Sequence, residues 1–140
     1  MSAQGTGAQG TGASGTGDDR FDTPHWPAEI RVAKDRRGLT VAFRDGPTVG
    51  IPAELLRVES PSAEVQGHSA AGKTLVAGKA RVAIASVEPV GNYAVRIGFD
   101  DGHSTGIYTW RYLHKLGTQG EAMLADYAAA LAAKGLRREP

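Results

Sequence analysis

The side chain with the most chemistry to offer is His103, which closes the run Asp100-Asp101-Gly102-His103. An imidazole just past a tight turn is open to ligands and partners, and it serves as a base or a metal ligand. With His68, Asp100 and Asp101 it makes a nitrogen and oxygen donor set suited to iron, zinc or nickel. The competing reading has His103 capping the hairpin and His68 in a solvated loop, since two imidazoles lack an assured third ligand. Ser60 or Ser62, with His103 and Asp100 or Asp101, also supplies the residue types of a hydrolytic triad. No Gly-x-Ser-x-Gly elbow presents either serine, and their place beside Pro61 is explained by turn and capping roles. Arg57, Asn92, Tyr93, Asp101, Tyr108 and Trp110 form a third group, with the aromatic, arginine and amide chemistry of recognition surfaces. Against that surface, Tyr93 and Trp110 suit a core, and Arg57 can pair with Glu59 or Asp101.

The elements that must hold these residues follow from periodicity. Tyr93, Val95, Ile97 and Phe99 alternate with Ala94, Arg96 and Gly98, the period-2 pattern of a half-buried strand. Asp100-Asp101-Gly102 supplies hairpin-turn chemistry, and Ser104 to Tyr108 returns as the partner strand. Thr109 is placed to cap a helix whose one face carries Trp110, Leu113 and Leu116, with Gly117 suited to end it. Thr118-Gln119-Gly120-Glu121 then matches a capping box for a second helix bearing Leu124, Tyr127, Ala128 and Leu131, terminated at Gly135. Upstream, Ala28 to Ala33 and Leu39 to Arg44 read as a hairpin, and Thr48 to Ile51 as a short third strand. Pro52 suits the first turn of a helix that ends near Ser60-Pro61. Ser60 to Gly78 reads as a long loop, Ala80 to Pro89 as a strand with Val82, Ile84 and Val87 buried, and Arg137 to Pro140 as a frayed tail.

Composition narrows the function classes. The chain has 140 residues, 41% of them hydrophobic, which is enough for one modest core. A net charge of +1 gives no electrostatic footprint for nucleic acid. No apolar run approaches the roughly 20 residues that span a bilayer, and the N-terminus lacks the pattern of a secretory signal. The expected setting is cytoplasmic, with no membrane partner. Without cysteine there is no disulfide and no thiolate ligand. Residues 1–20 form a Gly/Thr-rich tail with almost nothing to bury, expected to be disordered, and residues 21–136 form the domain. The tail contains Gly5-Thr6-Gly7-Ala8-Gln9-Gly10, but no strand or helix flanks it to make a dinucleotide site.

Three blocks carry a resemblance: Ile51-Pro52-Ala53-Glu54-Leu55-Leu56-Arg57-Val58-Glu59-Ser60-Pro61-Ser62-Ala63-Glu64-Val65, Val87 to Tyr93, and Phe99 to Trp110. Together they resemble the gamma-butyrobetaine hydroxylase-like N-terminal domain, here as a small standalone bacterial member of unknown function. Related domains stand alone, precede the oxygenase domain of carnitine-biosynthesis enzymes, or follow ATPase domains of iron–sulfur cluster carriers. In the oxygenases, the resemblance implies a zinc held by three cysteines and by the histidine of an Asp-x-His turn. That histidine falls on His103, and the cysteine positions fall on Ser60, Ser62 and Val65, so every thiolate of the pattern is missing. His68, three residues past Val65, is the nearest replacement donor.

The expected protein is an α+β domain: a small, twisted, mainly antiparallel sheet with short helices and a C-terminal amphipathic helix. Its expected function is that of a non-catalytic accessory or interaction domain, with a protein partner linked to iron–sulfur or oxygenase proteins. The alternative is a metal-binding protein that uses His103 with iron or zinc. Oxygenase chemistry is not expected. None of His25, His68, His103 or His114 is followed two residues later by a carboxylate, and the chain is too short for that catalytic domain.

Overall fold

Among the described residues, six short strands form two antiparallel sheets. The computed structural model describes residues 25–67 and 73–140; the tail over 1–20 and His68 lie outside the described residues. In the first sheet, β1 (Pro27–Val32), β2 (Gly38–Phe43) and β3 (Thr48–Pro52) pair antiparallel in the order β1-β2-β3. Leu39, Val41 and Phe43 point inward while their neighbours stay partly exposed. Pro52 then stands at the cap position of α1 (Ala53–Val58), which buries Ala53, Leu55 and Leu56. A one-turn helix, α2 (Ala63–Gln66), follows Ser62 inside the stretch expected to be loop.

The second sheet repeats the antiparallel plan, with β4 (Ile84–Val90), β5 (Ala94–Phe99) and β6 (Gly106–Thr109) in the order β4-β5-β6. Val95, Ile97 and Phe99 are buried and Arg96 is exposed, as the alternation requires. The α+β class and antiparallel pairing agree with the expectation, although the strands form two three-stranded sheets and not one continuous sheet. Both sheets contribute to a single apolar cluster, with Leu39, Val41 and Ile51 from the first and Ile84, Ile97 and Phe99 from the second.

Helix α3 (Trp110–Ala133) closes this core with Trp110, Leu113 and Leu116. Thr109 caps it, its hydroxyl oxygen accepting from the Tyr112 backbone N–H at 3.2 Å. The helix runs straight through Gly117, where a break was expected. That glycine lies against Val49 of β3, and a Cβ there would overlap the valine side chain. Gly117 therefore permits close helix-to-sheet approach instead of ending a helix. Thr118 consequently caps nothing; its hydroxyl donates back to the His114 carbonyl at 2.8 Å.

The chain's last residues are also anchored. Arg138 makes a two-pronged ion pair with the buried Glu54 of α1, at 2.6 and 2.8 Å. The backbone N–H groups of Gly78 and Ala80 donate to the carbonyls of Arg137 and Arg138. Burial of Glu54 demands a cation, and this segment delivers it. No helix among the described residues is long and apolar enough to cross a membrane.

Candidate functional site

His103 reaches its place because the turn after β5 folds back on itself. The Phe99 N–H donates to the His103 carbonyl, and the His103 N–H donates to Asp101 Oδ1 at 3.0 Å. The turn aims the imidazole at the segment between α1 and α2. There Nε2 lies 2.9 Å from Ser60 Oγ and 3.3 Å from Ser62 Oγ, and the two hydroxyl oxygens are 3.3 Å apart. On the other side of the ring, Nδ1 faces Glu64 Oε1 at 3.4 Å. Thr105 donates to that same carboxylate oxygen at 2.7 Å. A proton on Nδ1, facing the carboxylate, leaves Nε2 to accept from a serine hydroxyl, while Ser60 donates to Ser62 Oγ.

Burial governs the chemistry of the cluster. Ser60 is 0% exposed and the His103 side chain only 7%. Desolvation lowers the His103 pKa below 6.5, and Arg57 adds to the effect, while Glu64 and Asp101 oppose it. The surroundings therefore favour the neutral ring. Gly106 closes the wall behind Ser60, since a Cβ there would overlap both Ser60 Oγ and the Tyr108 ring.

Beside the imidazole is a charged cluster. Asp101 Oδ2 lies 2.7 Å from both Arg57 Nε and Lys79 Nζ. Burial pushes the Asp101 carboxyl up, but Lys79, the His103 N–H and Arg57 outweigh it and hold the pKa at about 2. Arg57 Nη1 is buried with no hydrogen-bond partner, so the guanidinium depends on Asp101 to offset its desolvation.

The other sequence candidates lie in varied surroundings. Tyr108 is fully buried and donates to the Leu56 carbonyl at 2.5 Å; burial raises its pKa. Trp110 is buried, with Nε1 donating to the Asn92 carbonyl at 2.9 Å. Asn92 is exposed in the β4–β5 turn and Tyr93 is half-buried. Asp100 faces away from the imidazole, accepting from the Ala83 N–H at 3.1 Å. The carboxylate that meets His103 is Glu64, which sequence reasoning did not single out, although it follows Ser62 by two residues.

Serine, histidine and carboxylate thus come together in relay order, but the nucleophile's oxygen is sealed from any substrate. Nor does the donor set fit the zinc that the resemblance implies. Serine hydroxyls are neutral, Val65 has no donor atom, and no group of three or more His, Cys, Asp or Glu among the described residues could hold a metal.

Fold and site define a small α+β domain whose polar centre fastens the α1–α2 segment to the β5–β6 hairpin. The chain belongs to the gamma-butyrobetaine hydroxylase-like N-terminal domain family, whose sequence profile matches residues 30–114. Two proteins with NMR solution structures are similar at 44% and 38% identity, each with a TM-score of 0.72. The first match covers 83% of this chain and 91% of the relative; the second covers 92% of each. A protein of unknown function from Acidithiobacillus ferrooxidans is 43% identical, with a TM-score of 0.53, over 64% of this chain and 90% of that one. No curated protein matches.

Proposed function

We propose that the chain is a non-catalytic accessory or interaction domain, acting through a surface and not through a reacting group. The observation that carries this reading is the state of His103: a buried ring, with Nε2 at the two serine hydroxyls and Nδ1 facing Glu64. A catalytic base needs hydrogen-bond reach to a substrate proton, and this imidazole's reach is taken up inside the fold. The outer side of the second sheet is the best-supported contact surface. There Ile107, 37% exposed, is the cross-strand neighbour of Arg96, and Asn92 stands exposed in the adjoining turn. Arginine is enriched at interface hot spots, and an exposed apolar side chain beside it offers area for a partner to bury.

By resemblance, the partners to try first are iron–sulfur carriers and oxygenase proteins. The test is saturable binding of purified chain to such a partner, measured by calorimetry, with an Arg96→Gln/Ile107→Thr variant beside the wild type. The reading predicts a complex that the double variant weakens at least about tenfold, near 1.4 kcal/mol, while its melting temperature stays close to wild type. A complex indifferent to both substitutions would remove this face from the proposal, and substrate turnover lost on His103→Ala would remove the non-catalytic reading altogether.

A further inference from the structure

Ser60 Oγ, Ser62 Oγ and His103 Nε2 form a triangle with edges of 2.9, 3.3 and 3.3 Å. Two thiolates and an imidazole on a tetrahedral zinc, with bonds near 2.3 and 2.0–2.1 Å, would be separated by about 3.6–3.8 Å. The triangle brings the same three positions together at the shorter contacts of hydrogen bonds. Its chemistry is that of hydrogen bonding. Two hydroxyl hydrogens serve the contacts among the two serines and the imidazole, and the Ser62 N–H adds a bond to Ser60 Oγ at 3.3 Å. Val65 is buried one helical turn past Ser62, on the same side, and offers only methyl groups.

The two segments joined by the triangle are fastened on both flanks as well. Thr105 reaches Glu64 on one side, and Asp101 reaches Arg57 on the other. Five side-chain links thus connect the Arg57–Glu64 stretch to the Asp101–Thr105 turn: two at His103 Nε2, one at Nδ1 and one on each flank. None of them needs a metal.

We propose that this centre is a metal-independent joint, in which hydrogen bonds hold the place that a thiolate-bound metal would hold, on a backbone still shaped for that metal. The inference stands apart from the interaction reading, because it concerns what holds the domain closed and not what the domain touches. Two consequences follow. The wild-type fold is indifferent to chelators, and restoring thiolates at Ser60, Ser62 and Val65 creates a zinc site with His103 as fourth ligand.

The experiment uses the full chain without a polyhistidine tag. Metal content is measured by mass spectrometry, and thermal unfolding is followed with and without EDTA. The expected result is below about 0.1 metal ion per chain and a melting temperature that EDTA leaves unchanged within about 1 °C, since only a native-state ligand shifts it. One equivalent of metal whose removal lowers the melting temperature would overturn the joint. The second arm is the Ser60→Cys/Ser62→Cys/Val65→Cys variant in zinc. It is expected to take up one zinc per chain and to melt higher with zinc than without, and folding only when zinc is present counts as the same result. Adding His103→Ala should weaken that uptake at least about tenfold, since three thiolates and a water still make a zinc site. A triple variant that takes up no zinc, or takes it up equally without His103, would overturn the retained shape.

Discussion

Two histidine-centred regions of the molecule solve the same problem differently. At the α1–α2 segment, His103 is enclosed by hydroxyls and a carboxylate. At the edge of the first sheet, His25 stacks on His114 of α3, with ring centroids 3.6 Å apart and planes 10° from parallel. Both rings meet Phe43 edge-on, at 6.1 and 5.2 Å. His103 and His25 each have a lowered pKa with desolvation as the first cause, but the second causes differ. For His103 it is Arg57, and for His25 it is the facing His114, followed by Arg111. A shared direction of shift therefore does not mean a shared role. The polar site is a fastening between two segments distant in sequence, whereas the stacked site is an aromatic contact at the margin of the fold.

If that contrast is correct, damage to the polar site costs far more. His103→Ala should destabilise the protein by about 2–4 kcal/mol, because it leaves a cavity and strands Ser60 and Ser62 without their partner. Chemical denaturation checks this, and a loss below that of a stacked-site variant would break the contrast. Asp101→Asn is the next step down, at about 2–3 kcal/mol, since Arg57 would remain desolvated without its counter-charge. The same group sets an acid limit. Its folded pKa of about 2 lies below the ordinary 3.8, so its contribution is complete above pH 3.8 and is lost as pH falls towards 2. The Asn variant should lack that part of the acid transition.

Gly117→Ala probes the frame that carries His114. Alanine gains about 1 kcal/mol in helix propensity, yet overlap with Val49 should leave a net loss of about 1–2 kcal/mol. A variant more stable than wild type would show that α3 can move away from β3 at little cost. The smallest effect belongs to the stack, where His25→Ala should cost about 0.5–1 kcal/mol. Its pH dependence has a defined sign. Because the folded pKa of His25 lies below 6.5, its stabilisation is present above that value and declines as pH falls through it. His114→Phe keeps the stacking and removes one source of that decline. The drop in melting temperature between pH 7.5 and 5.5 should therefore be smaller than in wild type.

The parts of the fold legible in the sequence are those whose causes are local. Alternation around Val95, Ile97 and Phe99 marks β5, and Thr109 marks the start of α3, because pleat and cap are decided within a few residues. Continuation of α3 through Gly117 was not legible, since its reason is Val49 in a distant strand. The anchored C-terminus is similar: Arg138 looks like a surface residue until Glu54 is seen to be buried. At the site, the positions of Ser60, Ser62 and His103 followed from the family pattern, but the carboxylate partner did not. Asp100 and Asp101 are nearer to His103 in sequence than Glu64, yet backbone N–H groups and cations draw them elsewhere. The His25–His114 stack has no local signature at all.

The most direct test of the account is the protonation state of the His103 ring, followed by long-range nitrogen–proton NMR across a pH titration. A fastening role predicts a neutral ring at pH 7, with the proton on Nδ1 and Nε2 acting as acceptor, and a midpoint below 6.5. A ring that titrates at or above 6.5 with exchange-averaged nitrogens, as a solvent-exposed histidine does, would contradict it.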